Sequence, residues 1–366
     1  DDDADDTGRR GSDDARDSRD DRDDDRPTRR RRRRSHDTAD TDRTDASNDG
    51  RGRDDGNDRN NDAEDDEHGD SRRSRRSRRL NAQERRAAAE VEQIEEDLFR
   101  GLSQDLGFRQ LFGGQVLGQC VSAASQTVEE ARHVHSMHGY FLRPGDATIP
   151  VVYQVERIRD GGSFSTRRVT AIQKGKPIFT CAASFQFDEE GFNHQLPMPD
   201  VPGPEALKSE TELARMVAPM IPERLRERAV SEKPIEIRPV TLINPFAPKP
   251  CEPVKYVWFR AAGELPAEPQ LHKLLLAYAS DFNLLTTSMQ PHGVSVFQKF
   301  MQVASLDHSL WFHGDLRMDD WLLYAMDSPW SGNARGFSRA SIFDRSGRLV
   351  ASSAQEGLTR LREDWK

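Results

Sequence analysis

Hydrophobic and polar positions along this chain fall into two regimes that meet near Leu80. Before Leu80 there is no Val, Ile, Leu, Met, Phe, Trp, Tyr or Cys. After it, apolar residues return in runs whose spacing names secondary structure. Val91, Ile94 and Leu98 give residues 90–98 helical character. Residues 113–126 are rich in Gly, Ala and Ser, which predicts a helix that something packs against closely. Strands are predicted at 133–142, 149–159, 163–173 and 176–187, where Val, Ile, Tyr, Phe and Thr are frequent. Asp160-Gly-Gly and Lys174-Gly175 supply turns between them.

The same order then repeats. Residues 188–235 are rich in Pro and charge and read as a linker with a polar helix near 205–230. A strand at 253–262 precedes an apolar helix, Leu271-His-Lys-Leu-Leu-Leu-Ala-Tyr-Ala-Ser-Asp281, and strands follow at 304–313, 321–326, 334–344 and 349–361. Phe164-Ser-Thr-Arg-Arg with Gly175 parallels Phe337-Ser-Arg-Ala-Ser with Gly347. A duplicated unit of one helix plus an antiparallel sheet is the inference, so the fold class is α+β. The two sheets can join edge to edge, which also protects exposed edges. The boundaries follow as 80–190 for the first unit, 191–235 for the linker and 236–366 for the second unit.

Composition changes the picture mainly for the first 79 residues. They hold 27 acidic residues against 22 Arg and no Lys, a net charge of −5. Without apolar side chains they cannot offset the entropy of ordering, so disorder is expected over 1–79. That bias also fits an over-extended gene start. Two basic clusters, Arg29 to Arg34 and Ser71 to Arg79, could bind nucleic acid or anionic lipid by charge alone, and read first as a solvated low-complexity tail. The remaining body carries a net charge of −4, which gives no reason to expect nucleic acid as its partner. No apolar run reaches the roughly 18 residues of a membrane span. Cys120, Cys181 and Cys251 lack metal-ligand spacing and suit a reducing compartment. A cytoplasmic protein without metal or cofactor is expected.

Candidate chemistry is sparse. Asp281 interrupts an apolar helix, where a carboxylate costs free energy unless it is paired or employed. From the residues alone it equally well caps a turn at Phe282-Asn283. The pair Gly113-Gly114 suits tight packing, with a helix N-terminus facing an anion as the second reading. Ser305 in a strand is unremarkable alone. Asp307 and His308 are adjacent strand residues and point to opposite faces, and no Gly-x-Ser-x-Gly elbow is present, so a Ser-His-Asp triad is rejected. Gln355 is a long amide in a strand of small residues, able to donate and accept at once.

Several segments together resemble the acyl-CoA thioesterase II family, a double hotdog fold. They include Leu98-Phe-Arg-Gly101, Phe112-Gly-Gly-Gln-Val-Leu-Gly-Gln119 and His138-Gly-Tyr-Phe-Leu-Arg-Pro-Gly-Asp146. Further along come Gly162-Ser-Phe-Ser-Thr-Arg-Arg-Val169, Ala279-Ser-Asp-Phe282, Ser305-Leu-Asp-His-Ser-Leu-Trp-Phe-His313 and Ser353-Ala-Gln-Glu-Gly357. The resemblance implies hydrolysis of medium- to long-chain acyl-CoA by a water that Asp281, Ser305 and Gln355 orient, with no cofactor. Acyl-CoA is the implied partner and a homodimer or homotetramer the implied assembly.

Arg143, Arg167, Arg168 and Lys174 are candidates for a phosphate-binding rim, and equally for solvated or dimer-contact residues. Two other functions compete. A hotdog enoyl-CoA hydratase needs a motif like Asp-x-Asn-Pro-x-His, but this chain reads Asp281-Phe-Asn-Leu-Leu-Thr286. A non-catalytic acyl-CoA-binding or scaffold protein has no use for the Asp281, Ser305 and Gln355 set.

Overall fold

Six strands of each repeat meet in one antiparallel sheet that wraps two central helices. A computed structural model of the chain describes residues 90–104, 106, 110–221 and 223–362. The disorder expected over 1–79 lies outside the described residues. The first repeat comprises β1 (Val91–Glu95), β2 (Leu98–Gly101), α1 (Gly113–Ser125), β3 (His133–Phe141), β4 (Val151–Asp160), β5 (Phe164–Gln173) and β6 (Lys176–Gln186). Two short helices, α2 (Glu210–Met216) and α3 (Glu223–Val230), follow. The second repeat comprises β7 (Ile235–Pro239), β8 (Val254–Ala261), α4 (Pro269–Ala279), α5 (Leu284–Thr287), β9 (Met301–Ser305), β10 (Asp307–Phe312), β11 (Leu322–Gly332), β12 (Arg335–Asp344) and β13 (Leu349–Leu361).

The strand order is β1-β2-β4-β5-β6-β3-β10-β13-β12-β11-β8-β7, with β9 added on β13. The halves therefore join through β3 and β10, where Met137 lies opposite Leu310. This is the duplicated α+β unit that the pattern predicts, arranged as the double hotdog that the resemblance implies. Inner-face positions alternate with outer ones, as on β13, where Ala351, Ser353, Gln355 and Gly357 are all buried.

α1 and α4 run antiparallel inside the sheet. The Gln270 side chain at the start of α4 donates to Ser125 Oγ at the end of α1. At the other end, a Cβ on Gly114 would fall 2.1 Å from the Tyr278 carbonyl oxygen, so only glycine permits this approach. Phe112 stacks on Phe282 at 4.5 Å and meets Tyr278 edge-on at 5.2 Å. The small-residue helix is thus the one that another helix packs against.

Four expectations are corrected. Residues 90–98 form the β1–β2 hairpin, not a helix, because Asp97 takes a left-handed φ of 55° and β2 pairs with β4. The polar helix near 205–230 is broken into α2 and α3, with 3-10 turns at Pro204–Ala206 and Ala218–Met220. Ser209 caps α2 through a reciprocal capping box with Glu212. The strand expected at 304–313 is two strands, β9 and β10, and β7 adds a strand where the linker was expected to end.

The segment before α2 lies on the outer face of the second repeat. Met198, Val201 and Leu207 pack against Trp258, Trp321, Leu323 and Phe343, and Trp258 Nε1 donates to the Pro202 carbonyl at 2.8 Å. Covering one face of an antiparallel sheet in this way buries aromatic surface that a lone repeat would expose.

Candidate functional site

The site forms where α4 ends and α1 begins. α4 stops at Ala279, and Ser280 closes it with a backbone bond to the Leu276 carbonyl at 2.8 Å. Asp281 therefore lies just beyond the helix and not on it. Asn283, left-handed at φ 68°, then turns the chain into α5.

Hydrogen bonds from three strands fix this turn. Tyr324 on β11 donates to the Ser280 carbonyl at 2.6 Å and is bonded to Ser353 Oγ on β13 at 2.9 Å. Ser280 Oγ donates to the Ala277 carbonyl at 2.9 Å and meets His308 Nε2 on β10 at 2.9 Å. The Ser280 proton is spent on Ala277, so His308 Nε2 is the donor in that pair. Burial pushes the His308 pKa down to about 3, which keeps the imidazole neutral.

Asp281 is half-buried and held from both repeats. Gln355 Nε2 on β13 donates to its Oδ1 at 2.8 Å. The backbone N–H of Gly114, in the first turn of α1, donates to its Oδ2 at 2.9 Å. Ser305 contributes a further side-chain hydrogen bond. Such charge-assisted bonds each contribute about 1.5–3 kcal/mol, and the positive end of α1 adds to them. Burial nevertheless outweighs them and raises the Asp281 pKa above the ordinary carboxylate value.

The break at Leu306 explains how Ser305 reaches this place. Ser305 on β9 lies opposite Gly357, whereas Ser309 on β10 lies opposite Ala354, a one-residue slip between the two strands. Asp307 Oδ1 fills the gap by accepting the Glu356 N–H at 2.6 Å. Ser305, Gly357 and Gln355 consequently share the inner face of the sheet. Gln355 is 1% exposed, and its Oε1 is buried without a hydrogen-bond partner among the described residues.

The three predicted site residues are thus brought together. Asp307 and His308 point apart and do different structural work, as the strand geometry requires. Asp281 caps no turn at Phe282-Asn283; its oxygens go to Gly114 and Gln355. Among the rim candidates, Arg167 is 1% exposed and bonded to Thr127 Oγ1 at 2.8 Å, the Thr127 carbonyl at 2.9 Å and Asp160 at 2.6 Å. Arg168 pairs with Glu156, Lys174 with Asp146, and Arg143 with the Pro177 carbonyl. Gly114 was legible only as a helix start, and the network of Ser280, His308, Tyr324 and Ser353 carried no signal in the sequence.

Among the described residues no group of three or more His, Cys, Asp or Glu side chains is arranged to hold a metal, and no helix is long and apolar enough to cross a membrane.

Residues 224–358 match the family described as acyl-CoA thioesterase, and residues 103–186 match the acyl-CoA thioesterase N-terminal domain. The chain is 44% identical over 273 residues to "Acyl-CoA thioesterase 2" of Haemophilus influenzae, covering 75% of this chain and 96% of that protein. It is 42% identical over 280 residues to human "Acyl-coenzyme A thioesterase 8", covering 74% and 87%. Among solved structures, an acyl-CoA thioesterase II, TesB2, from Mycobacterium marinum is 40% identical with a TM-score of 0.63, covering 76% of this chain and 99% of that one.

Proposed function

Because the chain belongs to the acyl-CoA thioesterase II family and is an acyl-CoA thioester hydrolase, we propose that Asp281 activates the attacking water and that medium- to long-chain acyl-CoA is the substrate. The observation that carries this reading is the Asp281 carboxylate, held by amide donors from both repeats with Ser305 beside it. Three of its roughly four lone pairs are taken, and the remaining one can accept a water proton. Gln355 Oε1 and Ser305 Oγ can accept the second, which aims the water's lone pair at the thioester carbon.

Attack forms the C–O bond while Asp281 takes the proton, a general-base role. Collapse breaks the C–S bond, and that proton goes to the departing sulfur. Free acid and coenzyme A leave, no acyl-enzyme forms, and no cofactor enters the balance. The raised carboxyl pKa strengthens Asp281 as a base. The α1 terminus, close to the reacting carbonyl, favours the negative charge that develops there.

The test is thiol release across saturated acyl-CoA substrates from acetyl to palmitoyl. The proposal expects kcat/KM to be greatest at decanoyl or longer. A maximum at acetyl or butyryl would overturn the chain-length assignment.

A further inference from the structure

A cavity of about 220 Å³ opens where the two repeats meet, at the end of β10 opposite Ser305. Its walls come from the start of β3, the end of β6, the middle of α4 and the segment after β10. We propose that it is a second, non-catalytic binding site that takes a compact oxyanion, a carboxylate or a phosphate, on the ammonium of Lys273.

Lys273 is 5% exposed and lines the cavity from α4. Among the described residues its ammonium has neither an ion pair nor a hydrogen-bond acceptor. The Lys273 stem is buried and its ammonium faces a site only partly open to water, so a bound anion would replace hydration that the site supplies incompletely. Burial lowers the Lys273 pKa, and Asp315 and Asp188 act against that shift. Both carboxylates sit at the solvent side: Asp315 is exposed, and the Asp188 side chain is 82% exposed and 3.9 Å from His133 Nε2. Water screens them, but does not screen Lys273 equally.

The remaining polar walls suit an anion. His133, His135, His313 and Gln186 bring N–H groups from three elements. Burial lowers the pKa of His135 and of His313, so each is a neutral ring with one N–H. His313 Nε2 is already engaged with Ser352 Oγ at 2.9 Å, and His135 Nε2 is buried without a partner among the described residues. The volume falls below the roughly 300 Å³ at which pockets for drug-sized ligands begin. It has room for a small oxyanion and a few waters. Phosphate and carboxylate share this chemistry; one enters with coenzyme A or as the free ion, the other with the acid product.

Calorimetric titration of the full chain with sodium phosphate, and separately with sodium acetate, at constant ionic strength tests the proposal. Wild type is expected to bind at least one of them at one per chain, and the pair identifies the source. Lys273→Met is expected to weaken binding by about tenfold or more, and Lys273→Arg to retain it. Replacing the partly desolvated ammonium by an apolar side chain of similar length leaves Lys273→Met folded, with a Tm no lower than wild type. Asp281→Asn is expected to bind as wild type does, because the site is separate. No binding of either anion, an unchanged affinity in Lys273→Met, or loss of binding in Asp281→Asn would each overturn the proposal.

Discussion

The two repeats share a fold and differ at the ends of their helices. Residue by residue, α1 closes with Ala124-Ser125-Gln126 where α4 closes with Ala279-Ser280-Asp281. Sheet register extends the comparison. The last hairpin of each repeat carries the same register shift, between Ala171 and Ile172 and between Ile342 and Phe343, and these pairings make Ala183 the counterpart of Gln355 and Ser338 the counterpart of Arg167. Opposite the carboxylate, α1 offers the Gly114 N–H, whereas α4 begins with Pro269, which has no N–H to give. Acid, amide and backbone donor are thus all replaced at one end. What fills that end is Arg167, whose guanidinium bonds the residue just past α1. A cation at a helix C-terminus is stabilising, so duplication left one end of the helix pair for chemistry and the other for stability.

Variants can break this comparison, beginning with the largest effect. Asp281→Asn should cut kcat by about 10³-fold, within the range for a lost general base. Its Tm should be no lower than wild type, since the neutral amide escapes the desolvation that raises the carboxyl pKa. Gln355→Ala installs the side chain of the first repeat and should cost about 10²-fold in kcat, read in the same thiol-release assay. Ser305→Ala should cost about tenfold, because Asp281 keeps its bonds to Gly114 and Gln355. Arg167→Met sharpens the contrast. It should leave kcat/KM unchanged while lowering stability by about 1–3 kcal/mol through lost buried hydrogen bonds, a Tm drop of several degrees by circular dichroism. Activity falling with Arg167→Met at a temperature where the variant stays folded would mean that this end of the helix pair also takes part in catalysis.

Much of this arrangement was legible in the sequence, for particular reasons. Strands such as β5 and β12 carry alternating inner and outer residues, so period and turn residues locate them. The antiparallel helix pair is a long-range event, and nothing local to Gly114 indicates that Asp281, 167 residues away, is its acceptor. β1 and β2 were read as a helix because Val91, Ile94 and Leu98 fit its spacing, yet pairing with β4 overrides local preference. The slip at Leu306 was hidden for the same reason, since a bulge is set by how β13 pairs on both sides of it. Arg167 looked like a surface charge because its buried partners, Thr127 and Asp160, converge only in the fold.

The most direct test of the central claim is the pH dependence of kcat/KM for wild type beside Gln355→Leu. Burial raises the Asp281 carboxyl and Gln355 partly holds it down. A base must be ionised, so activity should rise with pH through the folded-state pKa of Asp281. The acid limb should therefore lie above the ordinary carboxylate value in wild type, and higher still in Gln355→Leu. Ionising this raised carboxyl also disfavours the folded state, so across the same pH window Tm should fall in wild type relative to Asp281→Asn. An acid limb at or below the ordinary carboxylate value, or one that Gln355→Leu does not move upward, would contradict the account.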